Sequence, residues 1–119
     1  MIIQKADKKI EERQEMRGGV GNVIIEHVLP ENEMCGAGRL YAKMIVPPGH
    51  SVGNHDHIHE REIYYILKGN AQGMDDGVSC TLSEGDVMIT KDGGSHSIRN
   101  IGQGDLEVMA LILFEADNE

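Results

Sequence analysis

The chain has 119 residues, a length that suits one compact domain with a core of its own. Twenty acidic residues against eleven basic ones give a formal net charge of -9. That balance disfavours binding to nucleic acid and to anionic membrane surfaces, which both require a basic face. Trp is absent, and one Phe and three Tyr are the only aromatic residues besides histidine, so the core must be mostly aliphatic with Met as filler.

Residues 1–20 are predicted to form an N-terminal arm ahead of a single domain over residues 21–119. Within the arm, residues 6–16 (ADKKIEERQEM) favour helix by propensity, and Gly18–Gly19 would end that helix. Such a helix would have few apolar residues on one face. We therefore expect a loosely docked arm or a short helix.

The protein is expected to be cytoplasmic. The charged N-terminus contains no apolar run long enough for a signal peptide or a membrane span. Cys35 and Cys80 are far apart in the sequence and lie in no CxxC pattern. Two reduced thiols are the favoured interpretation.

After Gly21, short apolar segments recur between glycine, proline, aspartate and asparagine. Asp76-Gly77 is a strong hairpin signal. Many short strands at close spacing predict an all-β sandwich or barrel, and strands that are apolar on both faces indicate cover by a second sheet or a partner subunit. The candidate strands are Asn22–Val28, Arg39–Val46, Ser51–His57, Glu62–Lys68, Asn70–Met74, Ser79–Leu82, Asp86–Thr90, His96–Asn100 and Leu106–Phe114.

Four of the six histidines lie between residues 50 and 59. In a strand, residues two apart project to the same face, so His55 and His57 would point together. Glu62 begins the next strand and could bring a carboxylate into the space that the two imidazoles face. The alternative for this segment is a solvated, histidine-rich surface loop.

A fourth group is available from residues 85–100 (GDVMITKDGGSHSIRN). His96 opens a strand just after two glycines and is well placed to point into the mouth of a barrel. Three imidazoles and one carboxylate suit one divalent transition metal per chain: Mn, Fe, Ni, Co, Cu or Zn. On an octahedral ion, four protein ligands leave two positions for water, oxygen or a chelating substrate.

These two segments resemble the two signature motifs of the cupin family. The first motif is Gly, five residues, His-x-His, three or four residues, Glu, six residues and Gly. Gly49, His55, His57, Glu62 and Gly69 meet every one of these spacings.

The second motif is Gly, five residues, Pro-x-Gly, two residues, His, three residues and Asn. Gly85, Gly93, His96 and Asn100 fit it, and only the proline is replaced, by Lys91. That change removes a backbone restraint from the loop before His96 but touches no ligand.

The resemblance implies a double-stranded β-helix, in which two antiparallel sheets form a jelly-roll-like barrel. It also implies that a metal is held inside the barrel by His55, His57, Glu62 and His96. Small cupins often dimerise, and we expect a homodimer.

Two further residues are candidates for catalysis. Tyr64 shares strand parity with Glu62 and could donate into the pocket, although plain core packing is an equal alternative. His59 could extend the face of His57 or act as a base beside it, and the alternative is a solvated turn residue. Arg39 could reach the pocket from its other end.

Two functions follow from this constellation. The first is a metalloenzyme acting on a small, oxygen-rich chelating molecule by Lewis-acid or oxygen-activation chemistry. The resemblance to cupins implies a dioxygenase, decarboxylase or isomerase. The alternative is a non-catalytic module that binds a metal and a small ligand for sensing or storage. A general acid or base beside the open metal positions would favour the enzyme.

Overall fold

A computed structural model of the chain describes residues 1–116; the last three residues of the predicted domain, 117–119, lie outside the described residues. Almost all regular structure is β, and three short 3-10 turns lie at Lys5–Asp7, Met16–Gly18 and Glu31–Glu33. The strands are β1 (Ile10–Gln14), β2 (Asn22–His27), β3 (Gly38–Val46), β4 (Ser51–Asp56), β5 (Glu60–Lys68), β6 (Ala71–Asp75), β7 (Val78–Leu82), β8 (Val87–Thr90), β9 (Ser95–Asn100) and β10 (Leu106–Phe114).

The strands form two antiparallel sheets, which confirms the predicted all-β, cupin-like fold. The six-stranded sheet has the order β1-β2-β3-β10-β5-β8, and the four-stranded sheet has the order β4-β9-β6-β7. From β3 to β6 the chain passes from one sheet to the other at each step. The His-x-His strand β4 and the glutamate strand β5 therefore lie in different sheets and face each other across the interior.

The core lies between the sheets and is aliphatic, as composition predicted. Strands alternate buried and exposed residues, because side chains on a strand point to opposite faces in turn. Tyr64 is the one buried aromatic residue besides two histidines among the described residues. The largest fully buried side chains include Tyr64, Ile25, Met44, Ile66, Ile98 and Leu106.

All nine predicted strands are present, with end shifts of at most two residues, and Leu106–Phe114 has the predicted bounds. The predicted hairpin joins β6 to β7, with Asp75 paired to Val78 across the turn. Asp76 and Gly77 have φ values of 49° and 83°. Positive φ at both central residues is what a tight two-residue hairpin requires.

The predicted helix over residues 6–16 is wrong. Residues Ile10–Gln14 form β1, which pairs with β2 from Ile10 opposite Glu26 to Gln14 opposite Asn22. A helix with a thin apolar face gains little by docking, whereas this segment completes the hydrogen bonding of the sheet edge. Helix propensity is a weak preference that such long-range pairing overrides.

Within residues 1–116, no helix has the length and apolarity needed to cross a membrane. Both cysteines are free, Cys35 on the surface and Cys80 half-buried.

Candidate metal centre

The four predicted ligands come together between the two sheets. His55 and His96 are opposite each other on the neighbouring strands β4 and β9. Glu62 reaches the same point from β5, in the facing sheet. His57 follows the end of β4, one residue beyond the strand. Each side chain offers one ligand atom, and these four atoms all lie within 4.8 Å of one another.

The loop before His96 fixes the position of His57. The backbone N–H of His57 donates to the carbonyl of Gly94 at 3.0 Å, and the N–H of Gly93 donates to the carbonyl of His57 at 2.7 Å. Gly93 has a φ of 83°, which glycine adopts without strain. The loop keeps this geometry with Lys91 in place of the motif's proline.

All three imidazoles are oriented by a hydrogen bond at Nδ1. The Nδ1 of His55 lies 2.8 Å from the carbonyl of Gly53, and that of His57 lies 2.7 Å from the Oε2 of Glu60. The Nδ1 of His96 lies 2.8 Å from the hydroxyl of Thr90.

Those contacts define the tautomers of the three rings. The carbonyl and the carboxylate can only accept, so the Nδ1 atoms of His55 and His57 carry the hydrogen. The Thr90 hydroxyl donates to the Oδ1 of Asp75 at 3.0 Å, which leaves its oxygen to accept from His96. Each neutral ring therefore presents a lone pair at Nε2, the arrangement typical of metal-bound histidine.

The three Nε2 atoms and the Glu62 carboxylate converge. The Nε2 of His96 lies 3.0 Å from that of His57, 3.1 Å from that of His55 and 3.0 Å from the Oε1 of Glu62. The same oxygen lies 3.0 Å from the Nε2 of His57 and 4.0 Å from that of His55. Four lone-pair donors this close repel one another unless a cation, either a proton or a metal ion, lies among them.

The donor spacing fits an octahedral metal ion. Two donors at right angles on an ion with bonds of about 2.1 Å stand about 3.0 Å apart, opposite donors stand about 4.2 Å apart, and tetrahedral donors stand about 3.4 Å apart. The observed distances of 3.0, 3.1 and 4.0 Å are close to the octahedral values, and the four ligand atoms all lie within 4.8 Å of one another. The cluster could therefore hold one divalent metal.

Charge at the centre agrees with this chemistry. Burial raises the pKa of Glu62, but its contacts with His57 and His96 outweigh that effect and lower the pKa to about 2. Burial lowers the pKa of His55. Burial also lowers the pKa of His57, yet its hydrogen bonds with Glu62 and Glu60 leave that pKa above the ordinary value. Near neutral pH the glutamate is ionised and can act as a ligand.

Two supporting contacts were not found from the sequence. Glu60, which accepts from His57, is itself held by two hydrogen bonds from Arg39, at 2.9 Å from Nε and 2.8 Å from Nη2. Asp75 and Thr90 form the corresponding chain behind His96. The spacing of three residues between His57 and Glu60 was the one local signal, because the other partners are distant in sequence.

Tyr64 lies beside the cluster. Its ring stacks on that of His96, with 4.7 Å between centroids and 18° between planes. Burial, followed by the negative charge of Glu62, raises the pKa of Tyr64 well above its usual value, and Arg17 acts weakly in the opposite direction. The phenol is therefore neutral at physiological pH.

His59 lies away from the centre. It is an exposed turn residue with a φ of 61°, and its backbone N–H donates to Asp92 at 2.6 Å. Within residues 1–116, its side chain does not line the cavity beside the four ligands.

A cavity of about 50 Å³ opens beside the ligands. Its walls include His55, His57, Glu62 and Tyr64, together with Met16 and Arg17 from the N-terminal arm. The arm is thus one wall of the site, a role that the sequence did not indicate.

The fold and this cluster of three histidines and one glutamate agree with the cupin family. The model of the Cupin domain family matches residues 42–112, and the chain belongs to that family. It is 43% identical over 113 residues to an oxalate-binding protein of Thermotoga maritima, covering 95% of this chain and 93% of that protein.

Solved structures agree with this assignment. The crystal structure of a predicted oxalate decarboxylase from Thermotoga maritima superimposes with a TM-score of 0.90 at 43% identity, covering 96% of this chain and 99% of the other. The cupin domain of Cnp3 from Schizosaccharomyces pombe gives a TM-score of 0.71 at 15% identity, over 88% of this chain and 69% of that one. At that identity, the second likeness concerns the fold alone.

Proposed function

We propose that this cupin binds one divalent transition-metal ion through His55, His57, Glu62 and His96, and uses that ion to bind a small chelating dicarboxylate such as oxalate. The observation that carries the proposal is the convergence of three Nε2 lone pairs and one carboxylate oxygen. In the bound state, the metal would supply a Lewis-acidic centre that attracts and orients carboxylate oxygens.

The donor arrangement favours a chelating ligand. His96 lies 3.0–3.1 Å from each of the other three donors. The other three residues, His55, His57 and Glu62, line the cavity. These four side chains would hold a divalent ion without completing its coordination, and the remaining positions would be open to a small chelating ligand.

The cavity favours a very small ligand. Pockets for drug-sized molecules have volumes of about 300–1,000 Å³, whereas this cavity has about 50 Å³. A molecule of about six non-hydrogen atoms, the size of oxalate, suits a cavity of this volume. The resemblance to an oxalate-binding protein at 43% identity supports the same ligand class.

The residues favour binding over catalysis. Besides the ligands, the titratable groups that line the cavity are Tyr64 and three arginines, among the described residues. Tyr64 holds its proton near neutral pH, and arginine does not titrate there. Within residues 1–116, no other histidine or carboxylate lines the cavity.

The second candidate function is an enzyme that acts on the same ligand, for example a decarboxylase. The likeness to a structure described as a predicted oxalate decarboxylase favours it. Tyr64 would be its proton donor, since it is the neutral acidic group beside the ligands.

Calorimetry of the metal-free protein tests the main proposal. Mn²⁺ is added first and oxalate second, and one equivalent of each should bind, with no oxalate binding before the metal. Metal-loaded protein incubated with oxalate should then form no carbon dioxide or formate, whereas sustained turnover would favour the enzyme. Absence of oxalate binding to the loaded protein would contradict the proposal.

We also infer a homodimer formed through the outer face of the six-stranded sheet. Apolar residues cover this face, and Tyr65 and Val87 are paired neighbours there that are 46% and 51% exposed. Lys43 pairs with Glu26 and Glu107 at 3.3 and 3.2 Å, and Lys68 lies 4.0 Å from Glu107, so two lysines offset two glutamates there. The apolar side chains of this outer face are Ile24, Tyr41, Ile45, Ile63, Tyr65, Leu67, Val87, Ile89, Met109, Leu111 and Leu113.

A second copy fits such a surface because it is apolar and locally neutral, so the net charge does not oppose pairing there. Tyr65→Glu should convert the dimer to a monomer in sedimentation velocity. Val78→Glu, on the other sheet and 69% exposed, should leave the dimer intact. A monomeric wild-type protein would contradict the inference.

The free thiols of Cys35 and Cys80 support a reducing, cytoplasmic location.

A further inference from the structure

The turn between β1 and β2 has an unusual backbone. Glu15 and Arg17 have φ values of 48° and 55°, a left-handed conformation that residues with a side chain seldom adopt. Such residues cost free energy and persist only where the surrounding structure fixes them. Two of them within three residues indicate that contacts with the rest of the structure hold this turn in place.

Close backbone packing against β4 fixes the turn. A Cβ atom on Gly53 would stand 2.1 Å from the carbonyl oxygen of Arg17, and one on Gly19 would stand 2.2 Å from the carbonyl oxygen of Ser51. The turn and β4 can come this near only because both positions are glycine, which has no Cβ atom. The Ser51 hydroxyl also accepts from the backbone N–H of Val20 at 2.9 Å. Arg17 is thus fixed to the strand that carries His55.

Arg17 lines the cavity beside the metal ligands, and it differs from the two other arginines there. Arg39 is held by Glu60, and Arg13 lies 3.6 Å from a carboxylate oxygen of Glu11. Within residues 1–116, no carboxylate oxygen lies within 4 Å of the Arg17 guanidinium. A rigid turn therefore presents an uncommitted positive charge at the mouth of the site.

The net charge of the proposed complex indicates that Arg17 would pair with a bound dianion. A divalent ion with three neutral imidazoles and one carboxylate carries one net positive charge. A chelating dianion such as oxalate would change this to one net negative charge, and two of its carboxylate oxygens would remain free of the metal. A guanidinium matches two such oxygens in geometry and neutralises the remaining charge.

We propose that Arg17 selects dianionic ligands at this site by pairing with the outward oxygens of a metal-chelating dicarboxylate. The inference rests on the proposed function, because it presumes both the metal and the dicarboxylate. It makes Arg17 a specificity-determining residue contributed by the N-terminal arm.

The test is calorimetry with Mn²⁺-loaded protein, using oxalate and acetate as ligands. Arg17→Met should weaken oxalate binding by about tenfold to a hundredfold, the usual effect of losing a charge-assisted pair. Its affinity for Mn²⁺ alone and for acetate should change far less. Arg17→Lys, which keeps the charge but loses the planar fork, should have an intermediate oxalate affinity.

Arg99→Met is the matched control, since Arg99 is an exposed arginine on β9 outside this cavity. It changes net charge equally and should leave oxalate binding unaltered. The inference is overturned if Arg17→Met, or Arg17→Lys should the first variant not fold, binds oxalate as wild type does. It is also overturned if Arg99→Met loses as much affinity. A loaded wild-type protein that binds no oxalate ends the proposed function as well, so the two failures are distinguishable.

Discussion

Thr90→Val removes one oxygen from the support of the metal site and almost nothing else. Thr90 is fully buried, and its hydroxyl accepts from His96 at 2.8 Å while donating to Asp75 at 3.0 Å. Valine has nearly the same shape, so packing is kept. The His96 Nδ1–H loses its acceptor. The hydrogen bond that kept the hydrogen on Nδ1 and the lone pair on Nε2 is then gone.

The size of the effect follows from that single contact. A buried donor left without a partner costs about 1–3 kcal/mol, and losing the hydrogen bond behind a metal-bound histidine lowers metal affinity about 10–100-fold. Since tenfold corresponds to about 1.4 kcal/mol, this loss of affinity amounts to about 1.4–2.7 kcal/mol of metal-binding free energy. We predict about 10–100-fold weaker Mn²⁺ binding.

Competition with a chelator of known affinity measures this change. Thr90→Ser keeps the hydroxyl and should retain most of the affinity. Thr81→Val makes the same substitution at an exposed strand position and should have no effect. Equal Mn²⁺ affinity in Thr90→Val and wild type would refute the tautomer argument, whatever the stability of the variant.

Three other predictions concern the same site. Glu60→Gln weakens the acceptor of His57 and leaves Arg39 without its ion pair, so metal affinity should fall about tenfold in the same competition assay. Gly53→Ala forces the Arg17 turn off β4, because its Cβ would stand 2.1 Å from a backbone oxygen; the free energy of unfolding should fall by about 1–3 kcal/mol and oxalate affinity should fall with it. Its control is Gly104→Ala, with no atom within 4 Å of the added Cβ, which should match wild type in chemical denaturation. Acidification should release the metal as protons compete for the imidazoles, and metal content after dialysis at a series of pH values would measure it.

The predictable part of the fold was local. Each of the nine predicted strands combines an apolar run with glycine, aspartate or asparagine at its ends, and tertiary contacts then only adjusted the bounds. The residues Gly49–Gly69 and Gly85–Asn100 contain both the ligands and the turns that aim them. For that reason the four-residue cluster could be predicted from strand parity together with the resemblance of these two segments to the cupin motifs.

The unpredicted part depends on contacts between distant residues. Ile10–Gln14 favours helix in isolation and becomes a strand because β2 offers a free edge. Arg17 lies at the site because Gly19 and Gly53 allow close backbone contact between its turn and β4. No local sequence pattern predicts that contact. Thr90 is an ordinary strand residue in the sequence, and only the register of the sheets shows its hydroxyl behind His96.

Elemental analysis of wild type and His96→Ala, purified untagged and loaded under the same conditions, tests the central claim most directly. Wild type should carry one divalent transition-metal ion per chain, and His96→Ala should carry far less while its circular dichroism stays that of a folded β protein. One metal ion per chain in the folded variant, or none in the loaded wild type, would contradict the account.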